Sequence, residues 1–386
     1  MRVYFFDFTV NFGGAPQGSL YLMSRLKDAG YQVGVIDVYG NCKEYSNKAK
    51  EYNLDHHILL KKYKKMTIGY NGKPIRRILS MLSQSFTYID ILVNLRKIIS
   101  EKKPEIIIVN NEKSLFFLKI IQKIINFKII LYFRGEGIPE QLPKRFVNSL
   151  VNDTSHVVAH SKVAIENLKN AGIPHKHLSF IPNCIELERF SLPNKSSSLA
   201  KYKKIKLILA AARLTEEKGH HIAIEAVNKL KQQNIEVDLL IPGVIATGFD
   251  DSYLKYLNDL ITKYQLENNV HFIGWRDNLI EDIIQCHVVV LPSHTEGFPR
   301  SVIEAMIHKV PVCATPVGGI PEAITHNKTG MLFDIDDSEQ LFINLKKLIE
   351  DDGLYQDIVS NAFMFSKNYF HPSNNTRGMI EVLNKV

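Results

Sequence analysis

The chain is poor in the groups that make covalent or metal cross-links. Only four of its 386 residues are cysteine (Cys42, Cys184, Cys286 and Cys313), and no two stand at C-x-x-C spacing. That argues against a disulfide framework and a zinc ribbon and points to a reducing cytosol. Long apolar runs are also missing. No uncharged apolar stretch reaches the roughly 18 residues that a membrane-spanning helix needs; the best one, Leu115 to Ile125, is broken by Lys119 and Lys123. The first residues are apolar only until Asp7 and lack the core and cleavage site of a signal peptide. Internal repeats are absent, and the one low-complexity tract is Ser196-Ser197-Ser198. A cytoplasmic protein is expected.

What remains is a globular composition, 45% hydrophobic and 23% charged, which excludes a disordered or collagen-like chain. Its length suits two domains. Charge is uneven. Residues 1–190 hold 28 Lys and Arg against 16 Asp and Glu, a net +12, whereas residues 191–386 hold 20 against 24, a net −4. A basic half joined to an acidic half suggests different partners for the two, or a first half whose lysines only keep it soluble.

Short β-branched runs alternate with helical patterns. Strands are predicted over Val3–Phe6, Gln32–Val38, Ile106–Val109, Ile129–Phe133 and His156–His160, and helices over Gly18–Ala29, Tyr88–Ser100, Leu115–Ile125 and Lys162–Ala171. After a Pro- and Ser-containing break the alternation restarts. Strands are predicted over Lys206–Ala212, Asp238–Pro242, His271–Gly274, His287–Pro292 and Val310–Ala314, and helices over Lys218–Gln232, Ser252–Tyr264 and Arg300–His308. Continuous apolar strands alternating with helices imply parallel sheets covered on both faces. The fold class is therefore α/β, two doubly wound Rossmann-like domains in tandem. The expected boundaries are 1–187 for the first domain, 188–203 for a linker, 204–370 for the second domain and 371–386 for a C-terminal helix. Ligands of such sheets sit at the carboxyl ends of the strands.

Four constellations fall at such ends. The first is Asn11-Phe-Gly13-Gly14-Ala-Pro-Gln-Gly18, whose glycines admit close backbone approach of an anion; a tight turn without ligand explains it equally well. The second is Arg213-Leu-Thr-Glu-Glu-Lys218-Gly219, a pair of cations in a strand-to-helix connection, suited to a diphosphate or serving as ordinary loop charges. The third runs from Pro292 through Glu296, Gly297, Phe298, Pro299, Ser301 and Val302 to Glu304. The free amides at the start of this helix are donors for hydroxyls or phosphate, and Glu304, one turn in, can accept two hydrogen bonds from a ribose diol. Glu296 lies in the turn, nearer a reacting group. Two carboxylates also fit acid/base hydrolysis, but their different settings favour positioning. The fourth is Gly318-Gly319-Ile-Pro321-Glu322, another glycine loop or structural turn.

Taken in order, these motifs resemble those of the retaining nucleotide-sugar glycosyltransferases of the GT-B fold, the family-4 or group 1 glycosyltransferases. Glu296 and Glu304 match the E-x7-E pattern, Arg213 and Lys218 the R-x4-K pair, and Gly318 to Glu322 the GGIPE run. Ile181-Pro182-Asn183-Cys184-Ile185 through Phe190 resembles an IPNGVD…F run, and Phe272-Ile-Gly274-Trp275 an F-x-G strand. The resemblance is strong from Ser161 to Phe333 and, apart from the glycine loop, weak before Gly135.

The resemblance implies two Rossmann-like domains facing a central cleft, with the nucleotide-sugar (UDP by family habit) on the second and the acceptor on the first. It implies a C-terminal helix, near Arg377–Val386, crossing back to the first domain. Arg213, Lys218 and Glu296 would be catalytic. Gly13, Gly14, Arg134, Glu136, Asn183, Gly297, Phe298, Pro299, Ser301, Val302 and Glu304 would bind substrate. The acceptor would be a glycan or polyprenyl-linked sugar of bacterial surface polysaccharide. No metal or cofactor is expected; Asp334-Ile-Asp336 reads as a solvated loop. The chain departs from the family at Cys184 and Lys309, where Gly is common, and at Arg134, where many relatives carry His. His160 is either a substitute for that His or a structural residue.

Other readings are a nucleotide-sugar epimerase on the same fold, a non-catalytic partner subunit, and nucleic-acid binding by the basic half, for which no recognition motif is present. Lys61-Lys62-Tyr63-Lys64-Lys65, Lys73, Arg76 and Arg77 precede an apolar-rich stretch from Ile78 to Ile99. That stretch is either core or a peripheral contact with anionic membrane.

Overall fold

The computed structural model describes residues 1–60, 84–186, 202–210, 213–245, 250–276 and 278–386. The basic segment Lys61 to Arg77, Phe190 and all but the last two residues of the expected linker lie outside this set. The chain divides into two units, Met1–His160 with Ile165–Ile181 and Asn375–Val386, and Ser161–Ala164 with Pro182–Asn374.

The first unit is built on a parallel sheet of seven strands: β1 (Arg2–Asp7), β2 (Gln32–Asp37), β3 (Asp55–Ile58), β4 (Ile106–Val109), β5 (Lys128–Phe133), β6 (His156–Ala159) and β7 (Leu178–Phe180), in the order β3-β2-β1-β4-β5-β6-β7. β4 has the expected bounds because Ile-Ile-Ile-Val is apolar on both faces and every residue is buried. β3 and β7 were not expected. Asp55-His-His-Ile carries one apolar residue on a sheet edge, and β7 is three residues long. Helices cover the sheet. That over Glu112–Gln122 is capped by the Asn111 side chain, which accepts from Ser114 N at 2.8 Å. The C-terminal helix, Pro372–Lys385, lies within the expected 371–386 and starts five residues before Arg377, the start that the resemblance suggested. Its Met379, Val382 and Leu383 are buried in the core of the first unit with Phe5, Leu22 and Ile108.

The second unit repeats the plan. Its six strands are β8 (Ile205–Leu209), β10 (Val237–Pro242), β12 (Val270–Gly274), β13 (Val288–Leu291), β14 (Val312–Ala314) and β15 (Met331–Leu332), ordered β12-β10-β8-β13-β14-β15, all parallel. A short pair, β9 (Arg213–Leu214) with β11 (Val244–Ile245), stands apart. The central strands bury both faces. Leu207 and Leu209 of β8 and Val288 and Val290 of β13 join one core cluster, while Ile208, Val289 and Leu291 join another. Pro182–Glu186 goes with this unit, whereas the expected first domain ran to residue 187. The reason is packing: Ile185 is fully buried in the second unit's core, and Glu186 is ion-paired to Arg300.

Both sheets therefore share the order 3-2-1-4-5-6 in their own strand numbering, the first adding a seventh strand beside its sixth. The order reverses between β1 and β4 in the first and between β8 and β13 in the second, and the crevice beyond the strand ends at such a reversal is where α/β sheets bind ligands.

Candidate active site

At the second sheet's reversal three loops converge. The loop after β8 passes through the turn Glu216–Lys218 into the helix His220–Gln232. That after β13 carries Pro292 to Pro299 into the helix Arg300–Ile307, and that after β14 carries Thr315 to Gly319. Two glycines make the convergence sterically possible. Gly219 has φ +64°, and a Cβ there would sit 2.0 Å from Pro292 O; Gly318 has φ +54°, and its Cβ would sit 1.8 Å from Glu296 O. Backbone bonds lock the seams: His294 N donates to Glu217 O at 2.8 Å, and Gly319 N to Gly297 O at 2.8 Å. Thr315 Oγ1 donates to Ser293 O at 2.5 Å.

This frame holds an ion pair. Lys218 Nζ lies 2.6 Å from Glu296 Oε1, and its side chain and that of Glu296 are only 10% and 15% exposed. Ser293 Oγ donates to the same Oε1 at 2.8 Å, and Lys218 Nζ also donates to Thr295 O at 3.3 Å. Arg213, by contrast, is over half exposed and pairs with Glu217 at 3.0 Å. Of the two motif cations, Lys218 is thus the fixed one. Neighbouring His294 Nε2 is 2.7 Å from Asp336 Oδ1, so the Asp334–Asp336 loop reaches the edge of the site.

The remaining motif residues frame the pair. Glu304 is buried one turn into its helix. Asn183 Nδ2 donates to Phe298 O at 3.4 Å, which fixes the backbone between Gly297 and Pro299, and Phe298 packs edge-on against Phe370. Pro299 caps the helix in extended conformation. Ser301 Oγ donates to Ala210 O at 3.3 Å. The Val302 amide, read from sequence as a free donor, donates to Pro299 O at 3.2 Å in a tightened first turn.

Sequence reasoning missed Arg300. It is buried at the start of its helix, 2.9 Å from Glu186 Oε2, 3.4 Å from Cys184 O and 3.8 Å from Glu304 Oε1. Burial works against its charge, and the two carboxylates more than offset this, holding its pKa above the usual arginine value. The available signal was a charge four residues before Glu304, on the same helix face.

In the first unit, Gly13 and Gly14 start the helix Gly14–Asp28, with open space where a Gly13 side chain would stand. Arg134 Nη2 donates to Ser19 Oγ at 2.8 Å, and its guanidinium lies over the Tyr132 ring at 4.9 Å. Glu136 takes part through its backbone, Glu136 O accepting from Asn167 Nδ2 at 3.0 Å. His160 packs against Tyr132 with ring centroids 4.4 Å apart, and its Nδ1 is 3.3 Å from Ile181 O.

A second missed feature lies at this sheet's own reversal. Asp7, at the end of β1, accepts from Asn110 Nδ2 at 3.3 Å and Asn111 Nδ2 at 2.9 Å, just beyond β4, and from Thr9 Oγ1 at 3.2 Å. Burial raises its pKa. Burial, with a smaller contribution from the Asp7 charge, raises that of Asp37 to about 6. Among the described residues no three His, Cys, Asp or Glu side chains form a metal-holding group, and no helix is long and apolar enough to cross a membrane.

Comparison with known proteins decides the family. The profile of "Glycosyl transferases group 1" matches residues 193–364, and that of "Glycosyltransferase Family 4" matches residues 12–189. The chain belongs to the group 1, family 4 glycosyltransferases. Among curated family members it is 32% identical over 185 residues to the putative colanic acid biosynthesis glycosyltransferase WcaL of Escherichia coli, covering 45% of this chain and 42% of that protein. It is 28% identical over 282 residues to the amylovoran biosynthesis glycosyltransferase AmsK of Erwinia amylovora, covering 68% of this chain and 65% of that one. The matched stretch thus spans less than two thirds of these relatives' length. The crystal structure of Anabaena Alr3699/HepE in complex with UDP and glucose superposes with a TM-score of 0.80 at 21% identity over the full length of both chains. That of Staphylococcus aureus TarM in complex with Fondaparinux, α-GlcNAc-glycerol and UDP superposes with a TM-score of 0.75 at 14% identity, covering 99% of each. The fold is that of the GT-B glycosyltransferases.

Proposed function

We propose that this chain transfers a sugar from a nucleotide-diphosphate sugar, with UDP as the carrier, to a glycan or polyprenyl-linked acceptor in bacterial surface-polysaccharide assembly. Transfer proceeds with retention of configuration and without a metal ion. The observation that carries the reading is the Lys218–Glu296 pair, set rigidly at the reversal point of the second sheet. The polysaccharide-pathway names of WcaL and AmsK and the UDP bound to HepE support the setting and the donor.

Cleaving a sugar–diphosphate bond builds negative charge on the leaving group. A lysine ammonium has three N–H donors; two point to Glu296 Oε1 and Thr295 O. The third serves the diphosphate, at a cation that needs no reorganisation as charge develops. Glu296, fixed by Lys218 and Ser293 through one oxygen, offers the other to hydroxyls of the transferred sugar. Glu304 takes the ribose diol, and Arg213 adds a mobile charge at the rim. In a retaining reaction the departing phosphate oxygen itself receives the acceptor proton on the face where it left. Arg134 and Glu136 contact the acceptor in this scheme, and Gly13 and Gly14 lie beside the diphosphate.

The test is the product. NMR of the glycoside formed from an α-linked donor in the presence of EDTA shows an α-linkage formed at the metal-free rate. A β-linkage, or a rate that needs added Mg²⁺, overturns the mechanism.

The acceptor side is proposed to meet an anionic membrane. On the helix Ser85–Lys102, Phe86, Ile89 and Val93 line one exposed face, opposite the buried Ile91, Leu95 and Ile99. Each Lys or Arg near such a surface contributes about 1 kcal/mol. Co-sedimentation with liposomes rises with phosphatidylglycerol content; binding independent of lipid charge refutes the contact.

A further inference from the structure

The cluster around Arg300 contains one guanidinium and two carboxylates, all under a tenth exposed. The two acids are held differently. Glu186 accepts a hydrogen bond from Nη2 at 2.9 Å, and Cys184 O accepts from Nη1 at 3.4 Å. Glu304 Oε1 lies 3.8 Å from Nε, within ion-pair range but beyond hydrogen-bond distance, and Nε itself has no hydrogen-bond acceptor. The guanidinium is thus anchored by one segment and presented to the other by charge alone. At that distance the guanidinium attracts the Glu304 carboxylate without forming a hydrogen bond to it.

We propose that Arg300 is the positioning residue for Glu304: its charge holds the carboxylate oriented for the ribose diol, with Glu186 and Cys184 O fixing the guanidinium from the segment Pro182–Glu186. The inference rests on the ribose role given to Glu304 above. It explains why a buried arginine heads this helix: a neutral residue at 300 would take the guanidinium away from two buried carboxylates, Glu186 and Glu304.

The experiment compares affinities for uridine diphosphate and its 2′,3′-dideoxy analogue by calorimetry. Wild-type protein prefers the ribose form at least tenfold. In Arg300→Met the preference falls to within twofold of unity, through weaker binding of uridine diphosphate and nearly unchanged binding of the analogue. A merely structural role weakens both alike and leaves the ratio intact, and that result overturns the inference. If the methionine variant does not fold, Arg300→Lys replaces it. A single ammonium cannot hold both acids in a fork-like geometry, so the ratio falls to an intermediate value, and an unchanged ratio again overturns the inference. Wild-type protein without ribose preference removes the role of Glu304 and the inference with it.

Discussion

At the scale of single residues, the proposed chemistry rests on buried charges whose partners come from distant parts of the chain. Lys218 meets Glu296 and Arg300 meets Glu186, so neither environment can be read from local sequence, although the E-x7-E and R-x4-K spacings did mark Lys218, Glu296 and Glu304. The Asp7 cage was invisible for the same reason: its amide donors, Asn110 and Asn111, lie about a hundred residues away. These buried acids carry a prediction. Asp37 has a folded pKa of about 6 against an ordinary 3.8, because burial disfavours its charged form and the Asp7 charge adds to this. The folded state therefore binds the proton more tightly than the unfolded one, and stability falls as pH rises from about 4 to about 6, by roughly 3 kcal/mol. Asp37→Asn removes that slope while losing one of the bonds from Tyr39 N and Gly40 N as a constant offset. Urea unfolding at pH 4 and pH 7 shows the variant gaining on wild type between the two. Parallel pH profiles contradict the assignment.

At the scale of elements, legibility followed burial pattern and length. Ile106–Val109 and the helix from Ser252 are placed to within a residue because continuous β-branched runs and a strong 3.6-residue period allow one reading each. The polar edge strand Asp55–Ile58 and the two-residue β15 carry no such period, and pairing in the sheet alone makes them strands. The glycine loops were recognised, but their purpose is tertiary: Gly219 and Gly318 give two backbones room to press on the turn that holds Glu296. Gly318→Ala adds a methyl group 1.8 Å from Glu296 O at a positive φ, so the turn must move. Displacing a preorganised group by about 1 Å costs roughly 10²-fold in rate. The variant is expected to lose at least tenfold in kcat/KM while remaining folded by circular dichroism. Full activity removes the turn from the site.

At the scale of the whole molecule, the two halves of the sequence carry net charges of opposite sign. The first 190 residues at +12 and the remainder at −4 were plain in the sequence, as was the tandem α/β plan. The finer division was not, because Pro182–Glu186 and the C-terminal helix are assigned by packing: Ile185 is buried in the second unit's core, and Leu383, near the chain's end, in that of the first. Within an acidic half, the nearly buried Lys218 at the sheet's reversal, paired with Glu296, is the cation proposed to meet the diphosphate. Its contribution is isolated by comparing a nucleoside diphosphate with the bare nucleoside in wild type and Lys218→Ala. Calorimetry is expected to show the diphosphate bound at least tenfold more weakly by the variant, with nucleoside affinity unchanged. Equal diphosphate affinity in the two proteins would contradict the assignment of Lys218 as the donor-binding cation.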